Sequence, residues 1–111
     1  MLGDDFNAFW HVSVKPKSQA KVTIPEHVVA SLTNASLHFE NDEIKNGRVV
    51  IYAKTNNGPE FALVPFTVGK FESTSLDLKL TEGDVLYLRN SGHVQVDICG
   101  CITGGFSVTV E

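Results

Sequence analysis

The stretch Ser75-Leu76-Asp77-Leu78-Lys79-Leu80 alternates strictly between polar and apolar residues and runs straight into Thr81-Glu82-Gly83-Asp84. A period of two puts Leu76, Leu78 and Leu80 on one face of an extended strand and Ser75, Asp77 and Lys79 on the other. That is the pattern of an antiparallel strand with one face in the core and one in water. Glu82-Gly83-Asp84 then reverses the chain into a strand over 85–89, since glycine and aspartate supply the backbone conformations that tight turns need. Further along, Ser91-Gly92 leads into a strand over 93–102 with Val94, Val96 and Ile98 on one face.

The same period recurs toward the N-terminus. Residues 9–15 place Trp10, Val12 and Val14 together before Pro16 stops the strand, and 20–24 place Val22 beside Ile24. Residues 28–38 read as one long, bent strand interrupted by polar Thr33 and Asn34. The segment 39–47 is a polar loop carrying Glu40, Asp42 and Glu43 and ending in Asn46-Gly47. Strands over 48–54 and 60–68 flank the turn Asn56-Asn57-Gly58-Pro59. Pro65 within the second, lacking an N–H, calls for an edge position or a bulge. These eight strands, with turns between them and no stretch at helical spacing, predict an all-β, eight-stranded antiparallel jelly-roll sandwich. Residues 1–8 read as a disordered N-terminal segment, 9–102 as the domain, and 103–111 as either a ninth strand or the start of a linker.

At 111 residues, 42% hydrophobic and 20% charged, the chain has the size and composition of a single domain. A net charge of −4 lacks the basic footprint of a nucleic-acid binder, so no direct nucleic-acid contact is expected and a basic partner suits the chain better. Residues 1–8 contain Asp4 and Asp5 and no long apolar run, so neither a secretory leader nor a membrane anchor is expected. Cys99 and Cys101, one residue apart, read as free thiols of a reducing compartment. His11, His27, His38 and His93 are scattered, and Cys99-Gly100-Cys101 is too short for a zinc knuckle. No strained nucleophile turn or phosphate loop is visible, so no metal, cofactor or catalytic residue is expected.

Two strands are apolar on both faces: Val49 and Ile51 oppose Val50 and Tyr52, and Phe61 and Leu63 oppose Val64 and Phe66. A sandwich strand needs only one apolar face, and with no helix to cover the second, a neighbouring subunit is its natural cover. Val50, Tyr52, Val64 and Phe66 are therefore the candidate oligomer interface.

The order of certain residues resembles a known family. Phe9-Trp10-His11-Val12-Ser13-Val14-Lys15-Pro16 is similar to the Phe-Trp-Gly-x-x-x-Lys-Pro opening of nucleoplasmin-like domains. The likeness is greatest to those of nuclear FKBP-type peptidyl-prolyl isomerases and plant histone-deacetylase-like proteins. Leu76-Asp77-Leu78, Glu82-Gly83-Asp84, Gly92 and Val96-Asp97-Ile98-Cys99-Gly100 resemble the family's amphipathic strand, polar turn and closing strand. His11 stands where the family has glycine, and Cys101 where an aromatic residue often follows the last glycine. The resemblance implies a nuclear histone chaperone whose jelly-roll monomers form a pentameric ring, sometimes stacked as a decamer, with core histones as partners. It also admits an N-terminal module with a mainly structural role in a longer isomerase. Family members use long acidic runs, whereas the densest cluster here is Glu40, Asp42 and Glu43, the candidate histone contact.

Overall fold

The computed structural model describes residues 7–39, 47–56, 58–104 and 109–110. The strands are β1 (Asn7–Val14), β2 (Gln19–Thr23), β3 (Val29–His38), β4 (Arg48–Thr55), β5 (Phe61–Thr67), β6 (Ser73–Leu80), β7 (Val85–Asn90), β8 (Gln95–Thr103) and a two-residue β9 (Thr109–Val110). They form a four-stranded sheet in the order β1-β8-β3-β6 and a five-stranded sheet in the order β5-β4-β7-β2-β9. Every ladder is antiparallel. Apart from the β4–β5 hairpin, successive strands cross between the sheets, so the eight expected strands wrap into a jelly roll. The C-terminal segment adds the ninth strand against β2. β1 begins two residues ahead of the expected Phe9.

Strand period decides what is inside. Trp10, Val12 and Val14 of β1, Val96 and Ile98 of β8, and Leu32 and Ala35 of β3 point inward from the four-stranded sheet. They meet Val49 and Ile51 of β4, Val64 and Phe66 of β5, Leu86 and Leu88 of β7, and Val22 of β2. On edge strand β6, Leu80 is buried while Leu76 and Leu78 are half-buried against the same core. Each fully buried side chain of this size contributes about 1.5–3 kcal/mol by leaving water, so the shared core is what holds the sheets face to face.

Two irregularities re-aim side chains. In β3 the register slips between Leu32 and Asn34, so Leu32 and Ala35 both face inward although three residues apart. This bulge is what the polar Thr33-Asn34 interruption encodes, and the Thr33 hydroxyl donates to the Cys99 carbonyl across it at 3.3 Å. Gly100 lies opposite Leu32, where a Cβ would sit 1.7 Å from the Ser31 carbonyl oxygen, so the close approach of β3 and β8 admits only glycine. The second slip falls between Ile51 and Tyr52 of β4, on its ladder with β5. Pro65 is exposed on β5, an edge strand, where its missing donor breaks no interior ladder.

Asn90 is the buried polar residue of the described core. Its amide nitrogen donates to the carbonyls of Val14 at 3.0 Å and Val94 at 2.8 Å, and its amide oxygen accepts from the Gly92 N–H at 2.8 Å. One side chain thus ties the end of β1 to the β7–β8 turn with its hydrogen-bonding groups satisfied.

Candidate functional site

With the inner faces spent on the core, the outer faces carry whatever the protein presents. On the five-stranded sheet Val50 and Tyr52 of β4 point outward and are half-buried, beside partly buried Leu63 and exposed Pro65. Phe61 at the end of β5 is 45% exposed. This is the two-sided apolar region expected from the sequence, with a correction to its membership. Val64 and Phe66 are 3% and 0% exposed within one chain, so they belong to the core and are unavailable to a neighbouring subunit. Alternation alone identified two apolar faces on β5 but not which one turns inward. On β5, Val50 stands opposite Pro65 and Tyr52 opposite Ala62, both exposed, while Leu63, at the register slip, packs partly against the core.

Toward β7 and β2 the same face turns polar. Arg89 donates to both carboxylate oxygens of Glu60, at 3.0 and 2.8 Å, and its guanidinium lies 4.3 Å from the centre of the Tyr52 ring. The hydrogen bonds from Arg89 hold the Glu60 carboxyl below the usual carboxylate range, and the same pair raises Arg89. Beside it an open groove of about 420 Å³ is lined by Gln19, Lys54, Asn56, Glu60, Tyr87 and Arg89. No local pattern announces this pair, because Glu60 precedes β5 and Arg89 lies 29 positions away on a strand two places across the sheet.

The outer face of the four-stranded sheet is polar on β6 and around Asp97 but exposes Phe9 of β1, at 74%, and Val29 of β3, at 38%. Ser75, Asp77 and Lys79 project from β6, as their alternation predicts. Asp97 of β8 sits 3.0 Å from His38 Nδ1 and accepts from Gln95 Nε2 at 2.8 Å. Partial burial pushes the Asp97 carboxyl up, but hydrogen bonds from Gln95, Ser13 and His38, with the nearby imidazole, outweigh it and hold the group below its ordinary range. Cys99 is half-buried and Cys101 exposed, and both are free. Among the described residues no group of three or more His, Cys, Asp or Glu is placed to hold a metal ion. No helix of the described residues is long and apolar enough to cross a membrane. Glu40, Asp42 and Glu43, the candidate histone contact, lie outside the described residues.

Comparison with known proteins assigns this architecture to a class. The profile of the nucleoplasmin-like domain matches residues 9–103. The chain therefore belongs to the nucleoplasmin-like domain family. Among solved structures, the core of Drosophila NLP superimposes with a TM-score of 0.71 at 15% identity, covering 85% of this chain and 96% of that one. That structure is described as bearing on pentamer formation and histone binding. The nucleoplasmin-like N-terminal domain of Drosophila FKBP39 superimposes with a TM-score of 0.68 at 20% identity, covering 96% of this chain and 97% of that one. Among curated proteins nothing matches.

Proposed function

We propose that this domain assembles into a homopentameric ring and acts as a nuclear histone chaperone, a binding module with no catalytic role of its own. The observation that carries the reading is the outward apolar set Val50, Tyr52 and Pro65, with Phe61 at its end, on a chain of the nucleoplasmin-like family. A monomer leaves that set in water, and a neighbouring subunit covers it. The pentamer formation and histone binding described for the NLP core support carrying both properties to this chain.

Core histones are the partner, held by charge. Glu40, Asp42 and Glu43 supply the contact, and a ring repeats them around its axis, so weak exposed contacts add through effective concentration. Replacing the three by Gln or Asn should weaken core-histone capture at low salt and leave the oligomeric mass unchanged. Capture equal to the parent's removes the loop from the site. Light scattering at micromolar concentration tests the ring itself, and a monomer mass overturns it. The match across 96% of this chain to the FKBP39 N-terminal domain favours one second reading: an oligomerisation module of an FKBP-type peptidyl-prolyl isomerase. In that case the ring forms but captures no histone at any salt concentration. Stacking into a decamer is read from the same mass measurement.

A further inference from the structure

The chain is acidic overall, with 13 Asp and Glu against 9 Lys and Arg, yet cations gather on one part of the outer face of the five-stranded sheet. Lys21 of β2 stands opposite Tyr87 of β7, which stands opposite Lys54 of β4, so the three form one row across adjacent strands. In the next row Gln19 stands opposite Arg89, and Arg89 opposite Tyr52. Their strand neighbours Ala20, Val22, Ala53, Leu86 and Leu88 are buried, which turns these two rows outward. A shallower depression of about 380 Å³ continues the groove past Gln19 and Arg89 to Lys17 and Ser91.

We propose that the row Lys21-Tyr87-Lys54, with Arg89 beside it, is a docking site for an extended acidic peptide. Charge complementarity is the first argument. Neither lysine forms an ion pair with any described residue, and Glu60 is the carboxylate that lines the groove. Glu60 also shows the chemistry the surface accepts: a carboxylate seated on Arg89 through two hydrogen bonds, above the Tyr52 ring. Spacing is the second argument. Lys21 and Lys54 are two interstrand steps apart, about 10 Å, and a peptide in the extended polyproline II conformation, with three residues per turn and a rise of about 3.1 Å, puts carboxylates three residues apart on one side about 9 Å from each other. Gln19 and the Tyr87 hydroxyl add hydrogen-bonding groups between the cations. A nucleic acid fits less well, because a chain of net charge −4 repels a polyanion beyond the groove, whereas a short peptide meets only local charge. The site is opposite in chemistry to a histone contact and stands whether or not the chain captures histones.

The test is fluorescence anisotropy of a labelled poly-glutamate peptide titrated with the assembled protein at low salt. The double variant Lys21→Gln, Lys54→Gln should weaken binding about tenfold, as expected for two exposed charge contacts. Glu60→Gln should tighten it by freeing Arg89, and Lys79→Gln, on the other sheet, should leave it unchanged. Thermal unfolding checks that each variant folds. Unchanged affinity in the double variant overturns the proposal. So does a short single-stranded DNA that binds as tightly as the peptide and loses affinity in the same variant. A fall in oligomeric mass in the double variant with peptide affinity intact also overturns it, by making the row a subunit contact. A parent protein that is monomeric but binds the peptide through these lysines overturns the ring alone.

Discussion

The outer faces of the two sheets differ although both sheets bury the same kind of inner face. On the four-stranded sheet, β6 shows Ser75, Asp77 and Lys79, and the centre carries the Asp97, His38 and Gln95 cluster. On the five-stranded sheet, the corresponding positions near β5 are Val50, Tyr52 and Pro65, giving way to the basic row toward β2. Folding one chain requires only the inner faces. The difference lies in how the apolar groups are arranged rather than in whether any are exposed, since Phe9 of β1 and Val29 of β3 are also exposed on the four-stranded sheet.

The largest effect should come from the position that sequence alternation assigns to the outside and the structure places inside. Phe66→Ala, at a fully buried site, should destabilise the fold by about 3–5 kcal/mol in chemical denaturation. If it instead lowers oligomeric mass with stability unchanged, the inner and outer faces of β5 are reversed. Asn90→Ala should cost about 1–3 kcal/mol, because it leaves the Val14 and Val94 carbonyls and the Gly92 N–H without their partner. Next come paired outer-face changes that compare the sheets directly. Val50→Asp should dissociate the ring in light scattering while the monomer keeps its fold, whereas Ser75→Asp should leave the mass intact. Equal behaviour of the two variants would erase the distinction between the faces.

Much of the fold was legible because a period of two is a local property. The leucines of 76–80 and the valines and isoleucine of 94–98 each reveal a strand without knowledge of the rest of the chain. The polar pair Thr33-Asn34 even marked the place where β3 bends. What alternation does not encode is the sign of a face when both are apolar. For β5 it therefore showed two apolar faces but assigned Val64 and Phe66 to the wrong side. The basic row was illegible for a different reason. Lys21, Lys54 and Arg89 come from separate strands, and only the ladder order β4-β7-β2 brings them together. Asn90 ended an otherwise alternating strand, a signal visible in sequence but without meaning until Val14 and Val94 are placed around it.

The smallest expected effect is a pH dependence confined to the four-stranded sheet. Asp97 has its carboxyl held below the ordinary range in the folded protein, since hydrogen bonds from Gln95, Ser13 and His38 outweigh the cost of its partial burial. A group with a depressed folded pKa binds its proton more readily when unfolded, so its stabilising contribution is fully present above the unfolded value, about pH 4 for aspartate. It is lost as pH falls from there through the lower folded value. Denaturation midpoints for the parent should therefore decline more steeply below about pH 4 than those of Asp97→Asn, which keeps the shape of the side chain but removes the ionisation. The two curves should run parallel at neutral pH, offset by the hydrogen bonds that the amide cannot reproduce. If Asp97→Asn follows the parent's acid slope, the cluster on β8 is a solvated surface contact like Asp77, and the four-stranded sheet contributes nothing to acid stability through this site.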